Sequence, residues 1–212
     1  MTAFFVDLDG TIIDPKAGMI GSFRRALCAV GENDLARGDL DWIIGPPIRS
    51  SFTSLLQDEE QAANALRRYR EYYSVDGALF EFEVYPGIID ALLDLCRLGQ
   101  VLICTMKPEP LAEPILERLD LNFALFAADL EGEIRSKDQI LNRAVSQLGL
   151  DARDCMVIGD RGSDMAAARR TGMVGLGVTW GYGDLVELQR AGATGHCDQP
   201  IDLPRAVAGL LT

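Results

Sequence analysis

The 212-residue chain holds one histidine, His196, and that scarcity removes any metal site built on several imidazoles. The stretch Ala193-Thr194-Gly195-His196 reads as loop, so a surface histidine is expected. Its five cysteines (Cys28, Cys96, Cys104, Cys155 and Cys197) are odd in number, widely spaced and form no C-x-x-C pair. Reduced, structural thiols are therefore expected rather than a disulfide framework or a metal cluster. No run of about 18 apolar residues occurs, and Asp7 and Asp9 come too early for the basic and apolar regions of a signal peptide. A cytoplasmic protein with no membrane partner is expected. Basic residues are outnumbered 20 to 32, for a formal net charge of -12, and they gather into no stripe, which argues against nucleic acid as a partner. Internal repeats, low-complexity tracts and Gly/Ser linkers are missing, as is any P-loop, and the glycines near Gly175 do not complete a dinucleotide fingerprint. Nothing in the sequence speaks to oligomeric state.

What is present is ordinary globular composition, 48% hydrophobic and 25% charged, at a length that suits one catalytic core plus a modest accessory unit. Short apolar runs alternate with longer helical patterns, which predicts an α/β protein with a parallel sheet. The predicted strands are 3–6, 101–104, 124–127, 155–158 and 174–178. The predicted helices between them are 88–98, 109–119, 137–148 and 163–171. One interval, 15–83, breaks the rhythm and carries no convincing strand. Helical patterns at 20–30 and 59–73 predict a helical insertion there, with Leu66, Tyr69, Tyr72 and Tyr73 at helical spacing as packing residues rather than a ligand box.

Four polar clusters sit at the ends of these runs. Asp7-Leu8-Asp9-Gly10-Thr11 follows Phe4-Phe5-Val6; residues two apart in extended chain point the same way, so both carboxylates can face one site at the strand's carboxyl end, where open parallel sheets place ligands. At ~4 Å and an effective dielectric of ~20 two such charges repel by about 4 kcal/mol, so the pair needs a cation, a proton or both. Gly10 permits a tight turn. Gly159-Asp160-Arg161-Gly162-Ser163-Asp164 follows Met156-Val157-Ile158, with a helix cap by Ser163 or Asp164 as the plainer alternative. Thr105 ends another strand, where it offers a hydroxyl to a phosphate oxygen or caps the next helix. Lys137 opens a helix ahead of the fourth strand, where a lysine is ordinarily a solvated charge. Together these supply what phosphoryl transfer needs.

In this order the clusters resemble the four motifs of the haloacid dehalogenase superfamily, at 7–11, Thr105, Lys137 and 159–164. Ile44-Gly45-Pro46-Pro47, Tyr85-Pro86-Gly87, Thr105-Met106-Lys107-Pro108 and Val178-Thr179-Trp180-Gly181-Tyr182-Gly183 resemble its phosphoglycolate phosphatase-like group. Met106 departs from the small polar residue common there. The resemblance implies a Rossmann-like core (1–14 and 84–212) with strand order 3-2-1-4-5 and a small helical cap domain (15–83). It implies a phosphatase acting on a small phosphorylated metabolite through an aspartyl-phosphate, with Asp7 as nucleophile and Asp9 as acid and base. Mg²⁺ would be held by Asp7, the Asp9 carbonyl, Asp160 and Asp164, the last directly or through water. Thr105, Lys137 and the backbone N–H groups of Leu8, Asp9 and Met106 would hold phosphoryl oxygens.

Asp9 also separates chemistries: displacing halide needs no proton, whereas releasing an alkoxide from phosphorus does. Phosphomutase activity, or a receiver-like phospho-acceptor, would use similar residues; the early position of Asp7 and the cap-sized insertion favour turnover over stoichiometric acceptance. In the insertion, Gly45-Pro46-Pro47-Ile48-Arg49 reads as a stiff loop ahead of a helix. Pro46, Pro47 and Arg49 are its candidate specificity residues, with a surface salt bridge as the alternative role for Arg49.

Overall fold

The computed structural model describes residues 2–130, 133–134 and 136–211. The chain enters on β1 (Ala3–Val6), passes through the short β2 (Ile13–Asp14) and runs through three helices, α1 (Lys16–Ala29), α2 (Ile48–Leu55) and α3 (Glu59–Arg70). It returns on β3 (Glu83–Val84), which pairs with β2 in a two-stranded ribbon. Thereafter come α4 (Ile88–Leu95), β4 (Gln100–Pro108), α5 (Glu109–Arg118), β5 (Ala124–Ala128), α6 (Lys137–Leu148), β6 (Cys155–Gly159) and α7 (Gly162–Thr171). The last elements are β7 (Val174–Val178), α8 (Leu185–Ala191), β8 (Gly195–Cys197) and α9 (Leu203–Leu210). Two compact units result, one of residues up to Ile13 and from Val84 onward, the other Asp14–Glu83.

In the first unit six parallel strands form one sheet in the order β5-β4-β1-β6-β7-β8. The five predicted strands take the order expected of them, and β8 adds an edge. Central strands of a parallel sheet are covered on both faces and so read as continuous apolar runs, as in β1, where all four residues are buried. One face packs Ala3, Phe5, Leu102, Val157 and Phe126 against Ile140 and Leu141 of α6 and Ala168 of α7. Each fully buried large side chain contributes roughly 1.5–3 kcal/mol, so this face anchors the strand ends that carry the polar clusters.

Several boundaries differ from the sequence-based reading. His196 lies in β8 rather than in loop, though exposed as expected; three residues on a sheet edge with no apolar run leave little periodic signal. β4 does not end at Cys104: its pairing with β5 shifts between Thr105 and Pro108, so Met106 and Lys107 form a bulge, the device by which strands re-aim side chains near sites. All five cysteines are free, and burial pushes the Cys104 thiol up to about 12 and that of Cys155 to about 11, consistent with inert structural thiols.

The Asp14–Glu83 unit is helical, with α1 starting at Lys16 because Pro15 occupies its cap position, where a missing N–H is harmless. The third helix ends at Arg70, and a wide turn over Glu71–Val75 carries the chain on. Its interior is aromatic: Phe23 and Phe52 stack at 4.0 Å between ring centroids, with Tyr69 edge-on to both and Tyr73 stacked on Tyr69. Tyr72 lies under the Arg25 guanidinium, 3.9 Å from its ring centroid. The tyrosines at helical spacing are thus packing residues. No helix among the described residues is long and apolar enough to cross a membrane.

Candidate active site

The polar clusters meet at the carboxyl ends of β1, β4 and β6, beside the first turns of α6 and α7. Asp7 follows β1 directly, and its N–H still bonds to the Ile158 carbonyl at 2.9 Å, which holds it to the sheet. The chain then folds over the Leu8 carbonyl, which accepts from Ile12 (2.9 Å) and Ile13 (3.1 Å), while the Gly10 N–H bonds to Ile13. Gly10 has φ +81°, and a Cβ there would run into the Asp160 carboxylate, so the turn needs glycine for its conformation and for the close approach. The turn draws on the Leu8 carbonyl and leaves the Leu8 and Asp9 N–H groups out of its bonds.

Lys137, the first residue of α6, is buried rather than solvated. Its ammonium lies 2.9 Å from Asp7 Oδ1 and also contacts Asp164 Oδ1. Burial, the largest single influence, works against its charge, yet Asp164 and Asp7 together hold its pKa above the usual lysine value. Asp164 does not cap α7, and neither does exposed Ser163; Arg161 occupies the cap position, and the Arg161 N–H donates to Asp164 Oδ2 at 3.0 Å. A carboxylate three residues into a helix reaches back this way in a capping box, and here the geometry frees Oδ1 for the lysine.

Asp160 follows β6 and is buried. Its Oδ2 accepts the Tyr182 N–H at 2.8 Å, while Oδ1 is buried with no hydrogen-bond partner. The segment after β7 closes on it: a Cβ on Gly183 would collide with the Asp160 carbonyl, and the Trp180 indole N–H donates to the Thr11 carbonyl at 3.0 Å. Glu187 of α8 accepts from the Gly162 N–H (2.6 Å) and Arg161 Nε (3.0 Å), which steadies the start of α7.

Asp7, Asp160 and Asp164 each offer a ligand atom, all within 4.8 Å of one another. At that spacing and an effective dielectric of ~20 each pair repels by roughly 3–4 kcal/mol. One ammonium opposes three carboxylates, which leaves two formal negative charges for a cation or protons to balance. Burial first, and the neighbouring carboxylates second, push Asp160 well above the usual range. For Asp7 burial likewise dominates and outweighs Lys137, taking it to about 7. An all-oxygen donor set with a bare buried oxygen on Asp160 fits a hard divalent cation.

Thr105 is buried, and its hydroxyl oxygen accepts the Lys107 N–H at 3.1 Å; the cap of α5 is Pro108, so Thr105 does not cap that helix. Met106 turns its side chain into the apolar face under the sheet. Sequence reasoning gave no role to Lys107, whose ammonium lies 2.7 Å from Asp9 Oδ2 with both side chains largely buried. The signal was a lysine two residues beyond the strand-end threonine. It also overlooked Trp180, Tyr182 and Glu187 as supports. Pro46, Pro47 and Arg49 belong to the other unit; all are exposed, with Pro47 at the cap of α2. Arg49 makes no ion pair among the described residues.

Such a site, with carboxylates and lysine gathered at the switch point of a parallel sheet, defines the class: an α/β protein built for chemistry at its strand ends. The haloacid dehalogenase-like hydrolase family model matches residues 4–178, and the chain belongs to that family. It is 36% identical over 198 residues to a 5'-nucleotidase of Pseudomonas aeruginosa, covering 90% of this chain and 88% of that one. It is 33% identical over 196 residues to a phosphoglycolate phosphatase of Agrobacterium fabrum, covering 86% and 83%. The structure of protein tyrosine kinase A (PtkA) of Mycobacterium tuberculosis superposes with a TM-score of 0.81 at 30% identity, over 98% of each chain.

Proposed function

We propose that the chain is a Mg²⁺-dependent phosphatase of small phosphate monoesters, phosphoglycolate-like or nucleoside monophosphates, working through an aspartyl-phosphate on Asp7. The observation that carries this reading is the junction of Asp7, Lys137, Asp160 and Asp164, with Asp9 two residues beyond the nucleophile. Asp7 forms a bond to phosphorus as the ester oxygen leaves, and Asp9 gives that oxygen its proton. Water then attacks phosphorus, Asp9 takes a proton from it, and the bond to Asp7 breaks to release inorganic phosphate. Lys137 opposes the protonation that burial favours at Asp7 and, with Thr105 and the N–H groups of Leu8, Asp9 and Met106, faces the phosphoryl oxygens. Asp7, Asp160, Asp164 and the Asp9 carbonyl would hold Mg²⁺, which when bound supplies positive charge against the phosphoryl oxygens.

The names of the nucleotidase and phosphoglycolate phosphatase relatives support an acidic small-molecule ester, and a panel of phosphorylated metabolites assayed for phosphate release with Mg²⁺ tests it. Repeated turnover of at least one ester, lost in EDTA, is the expected result; no release from any member would overturn the reading. The likeness to a chain named as a tyrosine kinase supplies a second reading, phosphoryl transfer to a protein tyrosine. Label from ATP appearing on tyrosine in place of free phosphate would favour it.

A further inference from the structure

The candidate acid–base carboxylate is gripped on one side only. Asp9 Oδ2 lies 2.7 Å from the Lys107 ammonium, whereas Asp9 Oδ1 is buried and has no hydrogen-bond partner. Lys107 is itself buried, and burying an ammonium costs several kcal/mol unless it is paired. Its position is built by the backbone: the bulge between Thr105 and Pro108 lifts Met106 and Lys107 out of the ladder with β5, and the Lys107 N–H is tied back to Thr105 Oγ1. Met106 then turns into the apolar face and Lys107 toward the Asp7 loop. Burying an unpaired carboxylate oxygen is likewise costly, so a chain that holds one oxygen and leaves the other bare needs a reason to do so.

We propose that Lys107 is the positioning residue of Asp9. This rests on the phosphatase reading above: by fixing Oδ2, Lys107 sets the plane of the carboxyl group and presents Oδ1 to the ester oxygen. From Oδ1 the proton passes to that oxygen as its bond to phosphorus breaks, and the same atom then takes a proton from the attacking water. Thr105 thereby has two tasks for one hydroxyl, donating to a phosphoryl oxygen and accepting the Lys107 N–H in the turn that delivers Lys107.

The test is single-turnover transfer to Asp7 from aryl phosphates of graded leaving-group basicity, since a good leaving group needs little help from an acid. General acid catalysis is worth ~10²- to 10⁴-fold, so Lys107→Met should slow phenyl phosphate about tenfold or more and p-nitrophenyl phosphate much less, steepening the dependence on leaving group. Lys107→Gln, which keeps an uncharged donor, should recover part of the phenyl phosphate rate. Combined with Asp9→Asn, Lys107→Met should add no further loss, because residues acting through one group are not additive. Equal losses across the series, or losses that multiply in the double variant, would overturn the proposal and make Lys107 an independent phosphate ligand or a purely structural residue. If Lys107→Met alone proves poorly folded, the double variant leaves neither an anion nor a cation unpaired, and its comparison with Asp9→Asn decides the question. No turnover by the unsubstituted chain sinks both this proposal and the phosphatase reading, whereas multiplied losses in an active enzyme sink this one alone.

Discussion

The two units bury different things. Every charged residue buried in the chain's described part, Asp7, Lys107, Lys137, Asp160 and Asp164, belongs to the sheet unit. The helical unit buries no charged side chain, only hydroxyl-bearing ones such as Ser22, Ser51, Tyr69 and Tyr73, and its interior is a stack of aromatic rings. Its charges form exposed pairs such as Lys16 with Asp41 and Arg25 with Asp76. Buried charges are poor stabilisers, since desolvation rivals the attraction gained. The contrast teaches that the sheet unit sacrifices stability at its strand ends, while the helical unit is organised for packing.

The sharpest way to break the comparison is Asp7→Asn. Turnover should fall below a few per cent of the original rate, because an amide is no nucleophile, while the metal-free melting temperature should hold or rise as repulsion is relieved. A loss of both activity and stability would mean that Asp7 belongs to the scaffold. Phe52→Ala in the helical unit should do the reverse, costing about 3–5 kcal/mol in denaturant unfolding by removing a fully buried ring. A loss under about 1 kcal/mol would show that the aromatic stack is not what holds that unit together.

Asp160→Asn should weaken Mg²⁺ binding at least ~10-fold by calorimetry, since even outer-shell partners of metal sites are typically worth 10–100-fold. Unchanged affinity would remove Asp160 from the ligand set. Arg49→Ala sharpens the comparison from the other unit: kcat/KM for the best acidic metabolite should drop about tenfold or more beyond the drop for an aryl phosphate with an uncharged leaving group, an ion pair to a charged substrate being worth about 1.5–3 kcal/mol. Equal losses would leave Arg49 no part in selection. The smallest loss of stability is expected from Lys16→Ala, which should leave the denaturant midpoint essentially unchanged, because exposed ion pairs contribute little. A larger loss would mean that surface charge does hold the helical unit.

Much of this molecule was legible before any coordinates. The five principal strands, the helices between them and the helical nature of 15–83 follow from periodicity, which is a local property that neighbouring residues carry themselves. Asp7, Asp9, Thr105, Lys137, Asp160 and Asp164 could be named as candidates because each lies in a polar cluster just beyond an apolar run or at the start of a helical pattern, and parallel strands put such ends on one side. Only the tertiary structure decided how they combine. That Lys137 bridges Asp7 and Asp164, that Lys107 grips Asp9 and that Tyr182 and Trp180 brace loops 22 and 169 residues away depends on sheet order and on a bulge with no periodic signature. The edge strand β8 escaped for a similar reason: its three residues are a strand only because β7 lies beside them. Pattern determines what a segment becomes, since burying one face is enough to select it. Which side chains then meet is settled by packing across the sheet, where contacts join residues that share no local sequence.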